Sequence, residues 1–197
     1  MPRLGITLGD PSGIGPEVAL KALAAQPEDD FDYLLLGDVS STRALSSSLG
    51  LPFDGRFRFE QAGPETPRGE SQSAQSAKAA LAEGARRCLA GELAGLVTAP
   101  LSKERIIRLG EPFVGQTEFL SGVAGTRRTA MMLLGCDDRD RWLRVALVTT
   151  HLPLRDVAGA LTSESIVQTI ELAGQACALL GLPRSRVAVC GLNPHAG

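Results

Sequence analysis

The chain has 197 residues, 44% of them hydrophobic and 21% charged, with a formal net charge of -2. That balance suits a globular protein with one substantial core or two small ones, and it excludes a broad basic field for nucleic acid. No apolar run approaches the roughly 20 residues that a membrane span needs, so a membrane partner is not expected.

No charged-then-apolar leader precedes Leu4, so the cytoplasm is the expected location. Cysteines stand at 88, 136, 177 and 190 without a Cys-x-x-Cys pair. Three of them lie in apolar stretches and are expected as buried thiols in a reducing compartment.

In chain order, Leu4 to Leu8 reads as a short strand ending in a Gly/Asp/Pro cluster. Pro16 and Glu17 suit the first turn of a helix whose apolar face is Val18, Ala19, Leu20, Ala22 and Leu23. Tyr33 to Leu36 is a second strand. Residues 40–49 follow as a helix, with Ser40 or Ser41 as N-cap and Gly50 as stop. Phe57 to Phe59 is a weaker strand, and 61–72 an exposed loop.

A long helix is expected from about Ser73 to Leu89, with Ala74, Ala77, Leu81, Ala85 and Cys88 at 3–4 spacing. Leu96-Val97 marks a strand, short helices follow near 103–109 and 117–124, and strands near 130–134 and 143–149. Ser163 to Leu180 reads as a helix and Arg186 to Cys190 as a last strand. Strands alternating with helices argue an α/β fold with a largely parallel sheet. The Gly125-Thr126 turn suggests a first domain over 1–126 and a second over 127–197. A parallel strand is normally followed by a covering helix; here the sequence stops in the loop after Cys190, which is the expectation for a truncated chain.

Ligands in open α/β sheets bind beyond the carboxyl ends of the strands, and four strands end in unusual loops. The first, Gly9 to Glu17, is glycine-rich and opens a helix, so it could hold an anion on backbone N–H groups. It is neither a Walker A loop nor the dinucleotide fingerprint, since Val18 stands where a third glycine belongs. A tight turn with Asp10 as a local hydrogen-bond acceptor serves equally well.

Lys103 begins a helix, where a cation opposes the helix dipole. That marks either an anion site or a solvated lysine offset by Glu104. Thr117 and Glu118 read simply as an N-cap and a first-turn acid. His151 and His195, the only two histidines, both follow strands. They could share one metal or acid/base site, or each could be structural. Two histidines do not complete a catalytic zinc site, which typically takes about three protein ligands, and no Gly-x-Ser-x-Gly elbow is present.

Five segments, Gly9 to Glu17, Thr98 to Lys103, Gly115 to Leu120, His151 to Leu154 and Asn193 to Gly197, resemble in order the motifs of the 4-hydroxythreonine-4-phosphate dehydrogenase (PdxA) family. The resemblance implies a three-layer α/β/α fold of the isopropylmalate and isocitrate dehydrogenase type, in two domains with a cleft between them. It implies NAD- or NADP-dependent oxidation and decarboxylation of 4-phosphooxy-L-threonine in pyridoxal phosphate biosynthesis. It also implies a homodimer with a shared active site.

By the same resemblance, a divalent metal (zinc, magnesium or cobalt) is held by three histidines, the first two matching His151 and His195. Gln116 and Thr117 match a substrate-positioning His-Thr pair, with glutamine in place of histidine. Asp10 and Lys103 are further candidates near the cleft. Family members extend well past Gly197, so the 197-residue chain alone is expected to be inactive. Two alternatives stand beside this: a paralogue acting on another hydroxy acid, such as a sugar-acid phosphate or an aromatic dihydrodiol carboxylate, and a non-catalytic remnant.

Overall fold

The structure, a computed structural model, describes residues 1–25, 31–51, 57–65, 67–110, 112–183 and 186–193. Its packing divides the chain into two compact units, Met1–Gly125 and Thr126–Gly197.

The first unit is built on four strands: β1 (Arg3–Thr7), β2 (Asp32–Gly37), β3 (Phe57–Gln61) and β4 (Gly95–Thr98). They lie in the order β3-β2-β1-β4, and all neighbours are parallel. The run Leu34-Leu35-Leu36 is fully buried, because a central parallel strand is covered on both faces and cannot alternate with polar residues.

On one face, Tyr33 and Leu35 join Ile6 and Leu8. Against them pack Ala19, Leu20 and Leu23 of α1 (Gly15–Ala24), with Leu45 and Leu49 of α2 (Val39–Leu49). On the other face, Leu34 and Leu36 meet Ala80 of α3 (Gly69–Leu89), together with Ala62 and Leu93. The unit is therefore a three-layer α/β/α sandwich. A third cluster, Ala74, Leu81, Ile106 and Phe113, seats α4 (Lys103–Arg108) and α5 (Gln116–Val123) against α3. That cluster fixes the elements that carry the site.

Several expectations are corrected in detail. Asp38, not Ser40 or Ser41, caps α2: its Oδ1 accepts the Ser40 N–H at 3.2 Å. Both serines instead donate their hydroxyls to it. Gly50 does end the helix, at φ +65°. The long helix begins at Gly69 rather than Ser73, which shortens the loop expected over 61–72. Gly115, not Thr117, is the N-cap of α5.

The second unit departs further. Strands β5 (Met131–Cys136) and β6 (Trp142–Leu147) form an antiparallel hairpin in a sheet of their own, not a continuation of a parallel one. A connection this short can join only antiparallel neighbours; a parallel pair needs a crossover of roughly a dozen residues or more. Asp137 organises the turn by accepting the N–H groups of Arg139 and Arg141 at 3.0 and 2.9 Å. Asp140 takes a left-handed φ of +57°.

Two helices follow: α6 (Leu154–Ala160), which the sequence pattern did not show, and α7 (Ser163–Leu179). A reciprocal capping box between Thr162 and Ser165 starts α7. Residues 186–190 are not a strand. Among the described residues they have no ladder partner, and an apolar, β-branched run becomes a strand only by pairing; Val187 and Val189 are exposed. Leu133, Leu134, Trp142 and Leu143 are exposed as well, while Thr169 and Ala173 are the unit's buried residues among those described. The cysteines are free, but Cys136 and Cys190 are exposed and Cys88 and Cys177 half-buried, which corrects the expectation of buried thiols. Among the described residues no helix is long and apolar enough to cross a membrane.

Candidate functional site

Three motif loops of the first unit meet at Ala99 and Pro100, beyond the carboxyl ends of β1 and β4. The β1–α1 loop is pressed onto Pro100. Gly9 has φ +71°, and a Cβ there would lie 2.1 Å from the Pro100 carbonyl oxygen. A Cβ on Gly15 would meet the Leu8 carbonyl oxygen at 2.4 Å. Only glycine permits this approach of one backbone to another, and the Asp10 N–H donates to the Pro100 oxygen at 3.2 Å across it. From the third loop, the Gln116 side-chain amide donates to the Ala99 carbonyl at 3.3 Å.

Asp10 is almost fully buried. Its Oδ1 accepts the Ser12 N–H at 2.9 Å and the Ser12 hydroxyl at 2.7 Å. Its Oδ2 accepts Nη1 of Arg105 at 2.6 Å. Burial alone would raise the Asp10 carboxyl, but the Ser12 hydrogen bonds and the Arg105 guanidinium outweigh it and hold the group below the ordinary aspartate value. The contribution of Asp10 to stability is therefore complete above its unfolded pKa, near 4, and is lost as pH falls through the folded value. Acid unfolding followed by circular dichroism is expected to show this slope. Asp10→Asn is expected to flatten it.

The remaining candidates are placed as follows. Lys103 is exposed and is the first residue of α4, after the Ser102 N-cap. Glu104, read as its offset, pairs instead with Arg108 at 2.5 Å. Thr117 is exposed in the first turn of α5. His151 lies in the second unit, exposed, with a left-handed φ of +59°. That conformation is costly for a residue with a Cβ and is found where function or tight context imposes it. His195 lies outside the described residues.

Among the described residues, no three His, Cys, Asp or Glu side chains are grouped to hold a metal ion. The described part of the chain thus supplies a single imidazole and no complete metal centre.

Arg105 and Glu70 carry no motif and were not singled out by the sequence. A buried carboxylate demands a cationic partner, but nothing in the sequence distinguishes Arg105 among 20 lysines and arginines. Together with Asp10, Ser12, Gly13 and Ser102 these two residues line a cleft of about 480 Å³.

A parallel sheet with glycine-clamped loops gathered at its carboxyl edge is the organisation of an α/β enzyme. Residues 39–197 match the family described as pyridoxal phosphate biosynthetic protein PdxA, and the chain belongs to that family. It is 37% identical to a 4-hydroxythreonine-4-phosphate dehydrogenase of Stenotrophomonas maltophilia, over all of this chain and 63% of the relative. It is 36% identical to one of Burkholderia vietnamiensis, over 99% of this chain and 62% of the relative.

Solved structures agree. The 4-hydroxythreonine-4-phosphate dehydrogenase of Klebsiella pneumoniae superposes with a TM-score of 0.81 at 28% identity, covering all of this chain and 66% of that one. The enzyme of Burkholderia phymatum gives 0.79 at 26%, covering all of this chain and 64% of that one. The chain therefore spans a little under two thirds of the length of these relatives.

Proposed function

We propose that the chain carries the N-terminal portion of a 4-hydroxythreonine-4-phosphate dehydrogenase. This portion would act in the NAD- or NADP-dependent oxidation and decarboxylation of 4-phosphooxy-L-threonine. The observation that carries the reading is the meeting of three motif loops at Ala99–Pro100, in a chain of this family. In this reading Gln116 and Thr117 contact the substrate, and Lys103 offers positive charge to its phosphate. His151 and His195 are two ligands of a divalent metal, zinc, magnesium or cobalt, whose remaining ligand the chain does not supply. When bound, the metal would act as a Lewis acid on the substrate alcohol oxygen. The left-handed backbone at His151 fits a side chain held for such a purpose. The isocitrate dehydrogenase-like arrangement, the cytoplasmic location and a homodimer sharing its active site belong to the same proposal.

The test is spectrophotometric. The 197-residue chain alone, given 4-phosphooxy-L-threonine, NAD or NADP and each metal, is expected to form no reduced cofactor. A chimera with the C-terminal portion of the Stenotrophomonas relative, folded by circular dichroism, is expected to form it. Turnover by the isolated chain would sink the fragment reading, and a folded but inert chimera would sink the dehydrogenase reading. Gln116 departs from the His-Thr pair of the matched motif, so the chimera is also offered sugar-acid phosphates and aromatic dihydrodiol carboxylates. Preference for one of these would favour the paralogue.

A further inference from the structure

We infer that Arg105 is a positioning residue that holds the β1–α1 loop in the shape that borders the cleft, with Asp10 as the strut it grips rather than a ligand. The functional meaning rests on the reading that this loop borders a ligand site; the geometry itself does not.

Arg105 stands on the first turn of α4, three residues after the Ser102 cap, and its backbone N–H donates to the Ser102 hydroxyl at 3.3 Å. Its Nη1 donates to Asp10 Oδ2 and to Ser12 Oγ, both at 2.6 Å. The Ser12 hydroxyl in turn donates to Asp10 Oδ1. These three side chains close a ring around the turn that Gly13 completes by donating its N–H to the Asp10 carbonyl at 2.9 Å.

The other arm of the guanidinium, Nη2, reaches Glu70 Oε1 at 3.3 Å, at the start of α3. Arg108 binds the second oxygen of the same carboxylate, also at 3.3 Å. Arg105 thereby ties the loop to two helices that the Ile106 and Phe113 cluster already packs together. A planar fork with several fixed donors does this; a lysine ammonium is a point charge and cannot span the same acceptors in one geometry.

Asp10 is unsuited to be a direct ligand. Both oxygens are engaged, and the group is nearly closed to solvent. Freeing it would leave a buried carboxylate and a guanidinium each short of a partner. Its use is mechanical: it converts the position of α4 into the position of the loop.

The experiment uses the intact 197-residue chain and no catalysis, so its outcome is separate from that of the dehydrogenase reading. Amide hydrogen exchange is measured at Ser12 and Gly13, whose N–H groups bond to Asp10, and at Leu34–Leu36 of β2. The carboxyl carbon of Asp10 is titrated by NMR. In Arg105→Ala, exchange at Ser12 and Gly13 is expected to rise about tenfold or more, with β2 little changed. The Asp10 titration is expected to move upward, because burial is then less opposed. Arg105→Lys is expected to keep Asp10 low while losing most of the loop protection, since charge survives and the fork does not.

An unmoved Asp10 titration or unchanged loop exchange in Arg105→Ala would overturn the inference. So would a rise in β2 as large as that in the loop. If Arg105→Ala fails to fold, Arg105→Lys decides alone: wild-type loop exchange in it would overturn the role of the fork.

Discussion

Gly9→Ala is expected to destabilise the first unit by about 2–4 kcal/mol, more than a methyl added to any other described glycine in its loops. The new Cβ would lie 2.1 Å from the carbonyl oxygen of Pro100. The obstacle is backbone, so no rotamer change relieves it, and overpacking of this kind typically costs about 1–3 kcal/mol. The left-handed φ of +71° adds about 1 kcal/mol for any residue with a Cβ. To escape, the loop must lift from Pro100 and break the Asp10 N–H bond to that oxygen, which carries the whole β1–α1 turn away from the cleft. Gly50 provides the control. It has a similar φ of +65°, but a Cβ there meets nothing within 4 Å, so Gly50→Ala isolates the conformational cost. Urea unfolding of both variants tests the difference. Equal losses would mean that the close approach at Pro100 contributes nothing.

His151→Ala and His151→Gly are expected to separate stability from function. The side chain is exposed, so His151→Ala removes little packing and is expected to leave stability nearly unchanged. His151→Gly relieves the left-handed backbone at φ +59° and is expected to raise stability by about 0.5–1 kcal/mol. In the active chimera, both variants are expected to lower turnover and divalent-metal affinity at least about a hundredfold, because the proposed ligand is gone. The readouts are unfolding free energy, metal content of the purified protein and rate of cofactor reduction. Full activity in either variant would remove His151 from the metal site. A destabilised His151→Gly would mean that the side chain is retained for packing.

What the sequence made legible divides along physical lines. The Leu34–Leu36 run could be read because burial on both faces leaves an uninterrupted apolar signature. Gly50 could be read because only a left-handed cap demands glycine there. The strand patterns near 130–134 and 143–149 were visible too, but their pairing was not, since a strand looks much the same in a parallel sheet or a hairpin. The information lay in the short connection between them. Residues 186–190 carry a strand-like pattern without a partner, and pairing is not a local property. In the site, the glycine-rich loop announced itself through composition. The ion pair that holds it joins residues 95 positions apart, and no spacing rule reaches that far. Ser40 and Asp38 show the smallest scale of the same limit: both are good caps, and the choice was made by which side chain faced the free N–H.

The strand order has a consequence for synthesis. β1 is made before the other strands of its sheet, yet it ends in the sheet interior, flanked by β2 and β4. Its partnership with β2 can form early. Its other edge stays open until Gly95–Thr98 has been made, after most of the unit's chain. Pro100, against which the first loop is clamped, is translated later still, and Arg105 after that. The cleft is thus among the last features a nascent first unit acquires.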